Sequence, residues 1–382
     1  MAEWSKAHAW KVCIRHKRIV GSNPTRSAKC SHDRGGLSQA RGQWHTGRMG
    51  RINLAAFALM LTVAPLAAQD KPSEPPTPAS VIAASKASEW KAIDPNDLLV
   101  INLAPDARGG KRQVIVQLMP EPFSQGWVGN IRTLAKAHWW DGTSVYRVVD
   151  NWVAQWGDGE DDPKKAKPLP AGISKVPESG YATSMTCKVY TFQNKVLREV
   201  CDPAFTPLEP IDSYVQKGQT GFSAGWPVAV ALASTGNTAW PTHCYGTVGV
   251  ARDLSPDTGT GAELYAVIGH APRQLDRNIA VVGRVIEGIE NLSTLPRGKG
   301  EAGVYDDPKL RVPIVSVRLG SELPAGDQPR FEYLASDSQS FADYIDVRAN
   351  RHDAFYKTPA GGIDVCNVQV PIRRMGAKAQ VR

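Results

Sequence analysis

Short apolar runs, separated by turn residues, recur along the middle of the chain. The runs at 97–104 and 112–120 are rich in Val, Ile and Leu and flank a Gly-Gly turn, which predicts a β-hairpin. A second hairpin is predicted for "VYRVVDNWVAQWGD", residues 145–158, with Asp150-Asn151 as its turn. It carries one arginine, Arg147, among apolar neighbours, and such a charge on a strand considered alone is typical of a solvated edge.

Further strands and two helices extend this pattern to residue 320. An amphipathic helix is predicted for "WVGNIRTLAKAHWWDG", because its apolar residues follow the i, i+3, i+4, i+7 spacing. A strand and a helix are predicted for "NIAVVGRVIEGIENLSTL", with only 284–287 between them. The other predicted strands are "CYGTVGVARD", "AELYAVIGHAP" and "VPIVSVRLG". Many strands with two helices predict a mainly β fold, a closed barrel capped by the helices.

The segments around this barrel differ in composition. A flexible tether is predicted over 69–96, because its first half is rich in Pro and Ser. Residues 159–225 are rich in Gly, Pro and Lys around one inserted hairpin, which predicts long excursions from the barrel. After Leu323 the chain becomes charged and aromatic with partly helical spacing. Residues 321–382 are therefore predicted to form a helical appendage, closed by the extended segment "IDVCNVQVPIR".

The net charge of +8 lies in the first 48 residues, which hold ten Lys or Arg and two Asp or Glu. The remainder is balanced, with 35 residues of each sign, and gives no support for binding to nucleic acid. Residues 1–28 show no apolar periodicity, and "GSNP" is also what a common transfer-RNA gene sequence encodes in one reading frame. We expect a misannotated extension here, and a disordered basic arm is the alternative.

The stretch "MGRINLAAFALMLTVAPLAAQD" has the parts of a secretory signal peptide in order. Arg51 supplies the charge, Leu54 to Val63 the apolar core, and small residues lead to a cleavage site near Ala68. The alternative is a transmembrane anchor that is not cleaved. The short apolar run and Pro65 argue against it. We expect residues 49–68 to direct the chain to the periplasm or another exported location, with no stable membrane span after cleavage.

Export would place the cysteines outside the leader in an oxidising compartment. Cys187, Cys201, Cys244 and Cys366 would then form two disulfides, with three possible connectivities. The first two flank a predicted hairpin, so their pairing is favoured and would leave Cys244 for Cys366. His243 beside Cys244 offers a metal site as the alternative, but no CxxC or HxxxH spacing supports it. We expect no metal and no cofactor.

These elements together resemble the cyclophilin-type peptidyl-prolyl cis-trans isomerases. The resemblance rests on "NIRTLAKAHWWDGTSVYRVVDNWVAQWGD", "YGTVGVARD", "GTGAELYAVIG" and "LDRNIAVVGRVIEGIENL". It covers about residues 97–320, with insertions. It implies a closed eight-stranded antiparallel barrel capped by two helices, and an enzyme that acts on X–Pro bonds in unfolded or exported polypeptides.

The chemistry gives the arginine a role. Rotation about an X–Pro amide has a barrier of about 18–20 kcal/mol, because resonance gives the C–N bond partial double-bond character. No covalent bond breaks, so neither a nucleophile nor a metal is required. A guanidinium that donates to the proline nitrogen as the amide twists stabilises the transition state more than the planar ground states. The resemblance assigns this role to Arg147.

The resemblance also implies a groove for the substrate. The residues expected to form it are Tyr146, Trp152, Val153, Gln155, Ala251, Arg252, Glu263, Tyr265 and Leu275. Simple alternation around a two-residue turn places Arg147 and Trp152 on one face and Gln155 on the other. A bulge or a register change in the hairpin is therefore required.

Several positions depart from the family pattern. Gln274 replaces an aromatic residue, Ile279 a histidine, and Arg252 an asparagine, while Glu263-Leu264-Tyr265 replaces Gln-Phe-Phe. These departures predict low but real isomerase activity. They also leave open a cyclophilin-shaped chaperone or binding module with little catalysis, against which Arg147 and Gln155 argue. A structural envelope protein that docks a partner through the appendage is the third alternative.

Overall fold

The computed structural model describes residues 74–160, 162–192, 195–209 and 212–376. The expected leader over 1–48, the expected signal peptide over 49–68 and the start of the tether lie outside the described residues. Within the described ranges the α-helices are α1 (Pro78–Ala84), α2 (Gln125–Lys136), α3 (Glu290–Ser293) and α4 (Gln339–Ala349). In that part of the chain, none of the helices combines the length and the apolarity needed to cross a membrane.

The described strands form three antiparallel sheets. In chain order they are β1 (Trp90–Ala92), β2 (Leu98–Leu103), β3 (Arg112–Leu118), β4 (Ser144–Val148), β5 (Val153–Gly157), β6 (Thr183–Phe192), β7 (Lys195–Asp202), β8 (Thr206–Pro207), β9 (Gly218–Ser223), β10 (Trp226–Ala231), β11 (Asn237–Pro241), β12 (Thr247–Val250), β13 (Leu264–Val267), β14 (Val281–Glu287), β15 (Val312–Leu319), β16 (Phe331–Leu334) and β17 (Ile372–Arg374).

The largest sheet is a closed barrel of eight strands in the order β12-β13-β5-β4-β15-β2-β3-β14. It confirms the predicted fold class. Helix α2 packs against β15 and β14, and its Trp127, Ile131 and Leu134 are fully buried because they share one helical face. Full burial of such a side chain contributes about 1.5–3 kcal/mol to stability. The core of the barrel is therefore sealed by this helix.

The second capping helix is shorter than its sequence suggested. Helix α3 has only four residues, although it does contact β3. Residues 284–287, expected to separate strand from helix, instead continue β14, and Gly288 with a φ of +84° ends the strand. Pro296 restricts the residue before it to extended backbone, so the helix cannot extend past it.

A second sheet, of six strands in the order β7-β6-β11-β10-β9-β8, is built from the predicted insertion and the residues after it. The hairpin of β6 and β7 was predicted, whereas β8 to β11 were not. Cys187 and Cys201 pair directly across this hairpin and form a disulfide. The other disulfide joins Cys244 to Cys366, so both favoured pairings are present.

The third sheet joins the two ends of the described chain in the order β1-β16-β17. Residues 78–92 were expected to be flexible, but they form α1, a short 3₁₀ turn and β1. Thr77 caps α1 and Pro78 occupies its first turn, where proline is tolerated. Ile82 and Trp90 are buried against the C-terminal part. This apolar burial stabilises the folded segment, whereas a flexible tether would bury no such side chains.

The C-terminal part contains the predicted helix, the strand β16 that was not predicted, and β17, which begins at the end of the predicted extended segment "IDVCNVQVPIR". Helix α4 buries Phe341 and Tyr344 against Ile82, Trp90 and Leu334 in one apolar cluster. Strand β16 pairs with β1 on one side and β17 on the other. The appendage is thus a small α/β layer rather than a helical tail.

Candidate active site

The hairpin of β4 and β5 contains the register change that Arg147 and Gln155 need in order to share one face. Val145 pairs with Trp156, but the next pair is Arg147 with Gln155, so the register shifts by one residue at Tyr146. This bulge brings the side chains of Arg147 and Gln155 to the same face. Asn151 completes the turn with a φ of 51°, a left-handed conformation that asparagine tolerates better than most residues.

The face defined by the bulge continues across two more strands. Gln155 pairs with Tyr265 of β13, and Tyr265 pairs with Gly249 of β12. Paired residues on neighbouring antiparallel strands point to the same side. Arg147, Gln155, Tyr265 and Gly249 therefore form one row across four strands, and a Cβ on Gly249 would lie 2.3 Å from the Tyr265 hydroxyl oxygen.

The guanidinium of Arg147 is buried and held by neutral acceptors. Its Nε donates to the main-chain carbonyl of Ala302 over 2.7 Å, and its Nη1 donates to Gln155 Oε1 over 2.9 Å. The Trp152 ring lies 5.4 Å from its Cζ, within the range of a cation–π interaction. Burial lowers the pKa of Arg147 to about 10, so the group is still cationic at neutral pH.

The amide of Gln155 is itself oriented by two side chains, Tyr146 and Glu263, which we call the Gln155 anchor. Gln155 Nε2 donates to the Tyr146 hydroxyl, which donates to Glu263 Oε2 over 2.8 Å. The other carboxylate oxygen accepts from the main-chain N–H of Asp158 over 2.9 Å. Burial and the nearby Glu263 carboxylate raise the pKa of Tyr146 well above its usual value, so its hydroxyl stays a donor.

A loop covers the part of β4 that β15 leaves unpaired. Strand β15 pairs with β4 only through Val312 and Pro313. Further along β4, the N–H of Tyr305 donates to the Tyr146 carbonyl over 3.0 Å, and the N–H of Gly298 donates to the Val148 carbonyl over 2.9 Å. The same loop delivers the Ala302 carbonyl to Arg147, which the sequence analysis did not anticipate.

Arg147 lies in a cleft of about 390 Å³. Of the predicted site residues, the cleft is lined by Tyr146, Arg147, Gln155, Ala251, Arg252 and Glu263. Side chains and loop residues that the sequence analysis did not single out complete the lining, among them Trp139, Asp158, Lys167, Leu169, Ala302 and Val304. Arg252 donates to the main-chain carbonyls of Asn278 and Asp253 over 2.9 and 2.6 Å, which fixes it in the lining.

The other four predicted residues form an apolar wall next to this cleft. Val153, Tyr265 and Leu275 are buried in one cluster with Ala251 and Ile279, and the partly buried Trp152 packs against them. Ala251 belongs to both the cleft lining and this cluster, so the two are continuous. Burial raises the pKa of the Tyr265 phenol above its usual value. All ten predicted residues thus lie in or directly behind one concave surface.

His243 and Cys244, the alternative metal site, have other partners in the structure. Cys244 is in a disulfide, and His243 Nδ1 lies 3.0 Å from Asp276 Oδ1 while its Nε2 lies 2.9 Å from the Tyr265 hydroxyl. Across the described ranges, the His, Cys, Asp and Glu side chains do not gather into a group of three that could hold a metal ion.

Comparisons with known proteins identify the family and the fold. Residues 111–319 match the family model described as cyclophilin type peptidyl-prolyl cis-trans isomerase/CLD. The chain is similar to the solved structure of cyclophilin AquaCyp293 from Hirschia baltica, with 21% identity over 77% of this chain and 96% of that chain and a TM-score of 0.55. A cyclophilin type isomerase from Cryptosporidium parvum, solved in the presence of the dipeptide ala-pro, matches at 12% identity over 58% of this chain and 98% of that chain, with a TM-score of 0.29. The curated proteins contain no match to the chain.

Proposed function

Since the chain belongs to the cyclophilin-type peptidyl-prolyl cis-trans isomerases, we propose that its isomerase activity resides in the cleft around Arg147 and that Arg147 stabilises the twisted X–Pro amide. The observation that carries this proposal is the fixed guanidinium. It is only 3% exposed, it lines the cleft, and two of its nitrogens are committed to Ala302 and Gln155. A donor held in this way is oriented before the substrate arrives.

The mechanism follows from the electronic change during rotation. As the amide twists, the proline nitrogen loses conjugation with the carbonyl and regains a lone pair. The Arg147 guanidinium donates to that lone pair only as it develops, which lowers the barrier without stabilising the planar states equally. Because the group is preorganised and removed from bulk water, its electrostatic contribution is larger than that of an exposed arginine.

The remaining predicted residues divide into two roles under this proposal. The proline ring is received where the apolar wall meets the cleft at Ala251. Trp152 is partly exposed, whereas Val153, Tyr265 and Leu275 are buried and support this surface from behind. The polar residues Tyr146, Gln155, Arg252 and Glu263 face the flanking backbone or orient Arg147. The wall's apolar composition and its continuity with the cleft support the first assignment. The Gln155 anchor supports the second.

We further propose that the substrates are exported, proline-containing polypeptides. Disulfides persist in oxidising compartments and are rare in the cytosol, so the Cys187–Cys201 and Cys244–Cys366 bonds support an exported enzyme. The signal peptide over 49–68 and the leader over 1–48 stay part of this proposal. So does a division into a catalytic unit over 97–320 and an appendage over 321–382.

The catalytic assignment is tested by Arg147→Ala in an assay of cis/trans interconversion in a proline-containing tetrapeptide. Removing one preorganised donor from a transition state typically costs a factor of about 10²–10³ in rate, and we expect kcat/KM to fall by about a hundredfold. Arg132→Ala is the matched control, because Arg132 lies on α2, pairs with Asp97 and does not line the cleft. Equal rates for Arg147→Ala and the wild type would reject the assignment.

A further inference from the structure

A chain of buried polar side chains lies behind the apolar wall. The Tyr265 hydroxyl lies 2.9 Å from His243 Nε2, and His243 Nδ1 lies 3.0 Å from Asp276 Oδ1. Arg273 Nε donates to the other oxygen of Asp276 over 2.6 Å. We call Tyr265, His243, Asp276 and Arg273 the His243 relay. Each of its members is at most 9% exposed, so these polar groups rely on one another rather than on water.

Hydrogen-bond chemistry assigns the direction of this relay. A carboxylate only accepts, so His243 Nδ1 donates to Asp276 Oδ1, which leaves His243 Nε2 to share a hydrogen bond with the Tyr265 hydroxyl. The main-chain N–H of His243 donates to the same Asp276 oxygen over 2.9 Å. Arg273 also pairs with Asp212 over 2.8 Å, which balances its charge. The Tyr265 ring is thus anchored through its hydroxyl.

The relay supports both sides of the apolar wall. Tyr265 belongs to β13, and Leu275 ends the 3₁₀ turn Arg273–Leu275, whose first residue is the arginine of the relay. The bond between Arg273 and Asp276 spans this turn and fixes the place of Leu275. Gln274 and Ile279, where the family has an aromatic residue and a histidine, lie in or next to the same segment. The polar relay therefore supports the wall from behind where those side chains are missing.

A disulfide fixes the main chain next to His243. Cys244 follows His243 directly and is bonded to Cys366 in the C-terminal part. The Cys366 sulfur lies 3.7 Å from the His243 carbonyl, and the Cys244 N–H donates to Thr247 Oγ1 over 3.1 Å at the start of β12. The disulfide thus connects the appendage to the residue next to His243, whose ring bonds the Tyr265 hydroxyl. The Cys187–Cys201 disulfide joins β6 and β7 instead.

From this geometry we propose that His243 is a positioning residue for substrate binding and that the Cys244–Cys366 disulfide keeps it in place. His243 does not face the cleft, and it acts through Tyr265, whose ring forms part of the wall for the proline ring. This inference rests on the proposed function of that wall. It predicts that loss of the relay weakens peptide binding while the step at Arg147 proceeds at its normal rate.

The test uses the full chain and separates KM from kcat for a proline-containing tetrapeptide. Tyr265→Phe removes only the hydroxyl, and His243→Leu removes the ring that holds it. We expect KM to rise by about tenfold in both, the usual effect of one lost buried hydrogen bond, with kcat within about twofold of the wild type. Urea unfolding of each variant reports its folded fraction.

The disulfide has a matched control within the same chain. The Cys244→Ser/Cys366→Ser variant is expected to raise KM in the same way as Tyr265→Phe. The Cys187→Ser/Cys201→Ser variant loses the other disulfide and is expected to keep the wild-type KM. An unchanged KM in Tyr265→Phe and in Cys244→Ser/Cys366→Ser would overturn the inference, as would a loss confined to kcat.

The failure of this inference differs from a failure of the proposed function. If Arg147→Ala loses its kcat while the relay variants keep the wild-type KM, the catalytic assignment holds and the His243 assignment is wrong. If Arg147→Ala keeps the wild-type rate, the assignment of the cleft itself is wrong, and the wall behind it loses its proposed role.

Discussion

Replacing Tyr146 with phenylalanine removes a single hydroxyl from the middle of the Gln155 anchor. That hydroxyl accepts from Gln155 Nε2 and donates to Glu263 Oε2, so the change leaves a buried amide and a buried carboxylate oxygen without this partner. A hydrogen bond to a charged group is worth about 1.5–3 kcal/mol. Since each 1.4 kcal/mol is a factor of about ten in rate, we expect kcat/KM to fall by about tenfold to a hundredfold.

The physical reason for a loss of rate is the orientation of one amide. With Tyr146 present, Gln155 turns its Nε2 to the hydroxyl and its Oε1 to Arg147. Without the hydroxyl, the amide is free to rotate its NH₂ group toward the guanidinium, and two donors then face each other. Arg147 loses a fixed acceptor but keeps its charge. The loss is therefore expected to be no larger than that of Arg147→Ala.

Exchange between the cis and trans forms of a peptide, followed by NMR without a coupled protease, measures the rate directly. The matched control is Tyr344→Phe. The hydroxyl of Tyr344 donates to the Gln369 carbonyl over 2.9 Å in the C-terminal part. It removes the same atom from another buried tyrosine and should leave the rate unchanged. The double variant Tyr146→Phe/Gln155→Leu should be no slower than Gln155→Leu alone, because both act through one chain of bonds. A wild-type rate for Tyr146→Phe would show that the Gln155 anchor does not orient Arg147.

Two further predictions concern the pH dependence of the rate and the packing of Tyr265. The isomerase rate should be constant near neutral pH and fall as the pH rises through about 10, because the buried Arg147 guanidinium loses a proton there and its charge. The NMR assay measures this pH dependence. A constant rate through that pH in still-folded protein would contradict the catalytic role of Arg147. Gly249→Ala should lower the free energy of unfolding by about 1–3 kcal/mol, because the new Cβ would lie 2.3 Å from the Tyr265 hydroxyl oxygen. In Gly129→Ala on α2, the new Cβ would meet no atom within 4 Å beyond its chain neighbours and the backbone of its own helix, so this variant should instead be stabilised in the same urea titration. Equal effects of the two substitutions would show that the contact at Gly249 is unimportant.

The barrel could be predicted from the sequence because its strands carry continuous apolar runs with turn residues between them. Strands β9 and β11 could not, since "GQTGFS" and "NTAWP" contain residues that usually mark turns. The structure shows another use for these glycines. A Cβ on Gly218 would lie 1.8 Å from the Val230 carbonyl oxygen, and one on Gly221 would lie 2.1 Å from that of Thr206. Close strand approach, rather than a turn, requires them.

The residues of the site were predictable where a motif carried them, and not where long-range packing did. Arg147 and Gln155 follow from one contiguous stretch, and even the need for a bulge between them could be argued in advance. The Ala302 carbonyl leaves no trace in side-chain identity, because every residue has one. His243 acquires its role from Asp276 and Tyr265, which the fold brings to it from other segments.

The order of strands in the smallest sheet has a consequence for the time course of folding. Trp90 of β1 pairs with Leu334 of β16, and β17 completes the same sheet near the end of the described chain. A chain that emerges from the ribosome N-terminus first therefore displays the apolar side of α1 and β1 through the synthesis of the entire barrel. The loop that must close is long, and its entropic cost grows only slowly with length. The cost of this arrangement is thus one of exposure during synthesis, because Ile82 and Trp90 stay uncovered until the C-terminal part has been made.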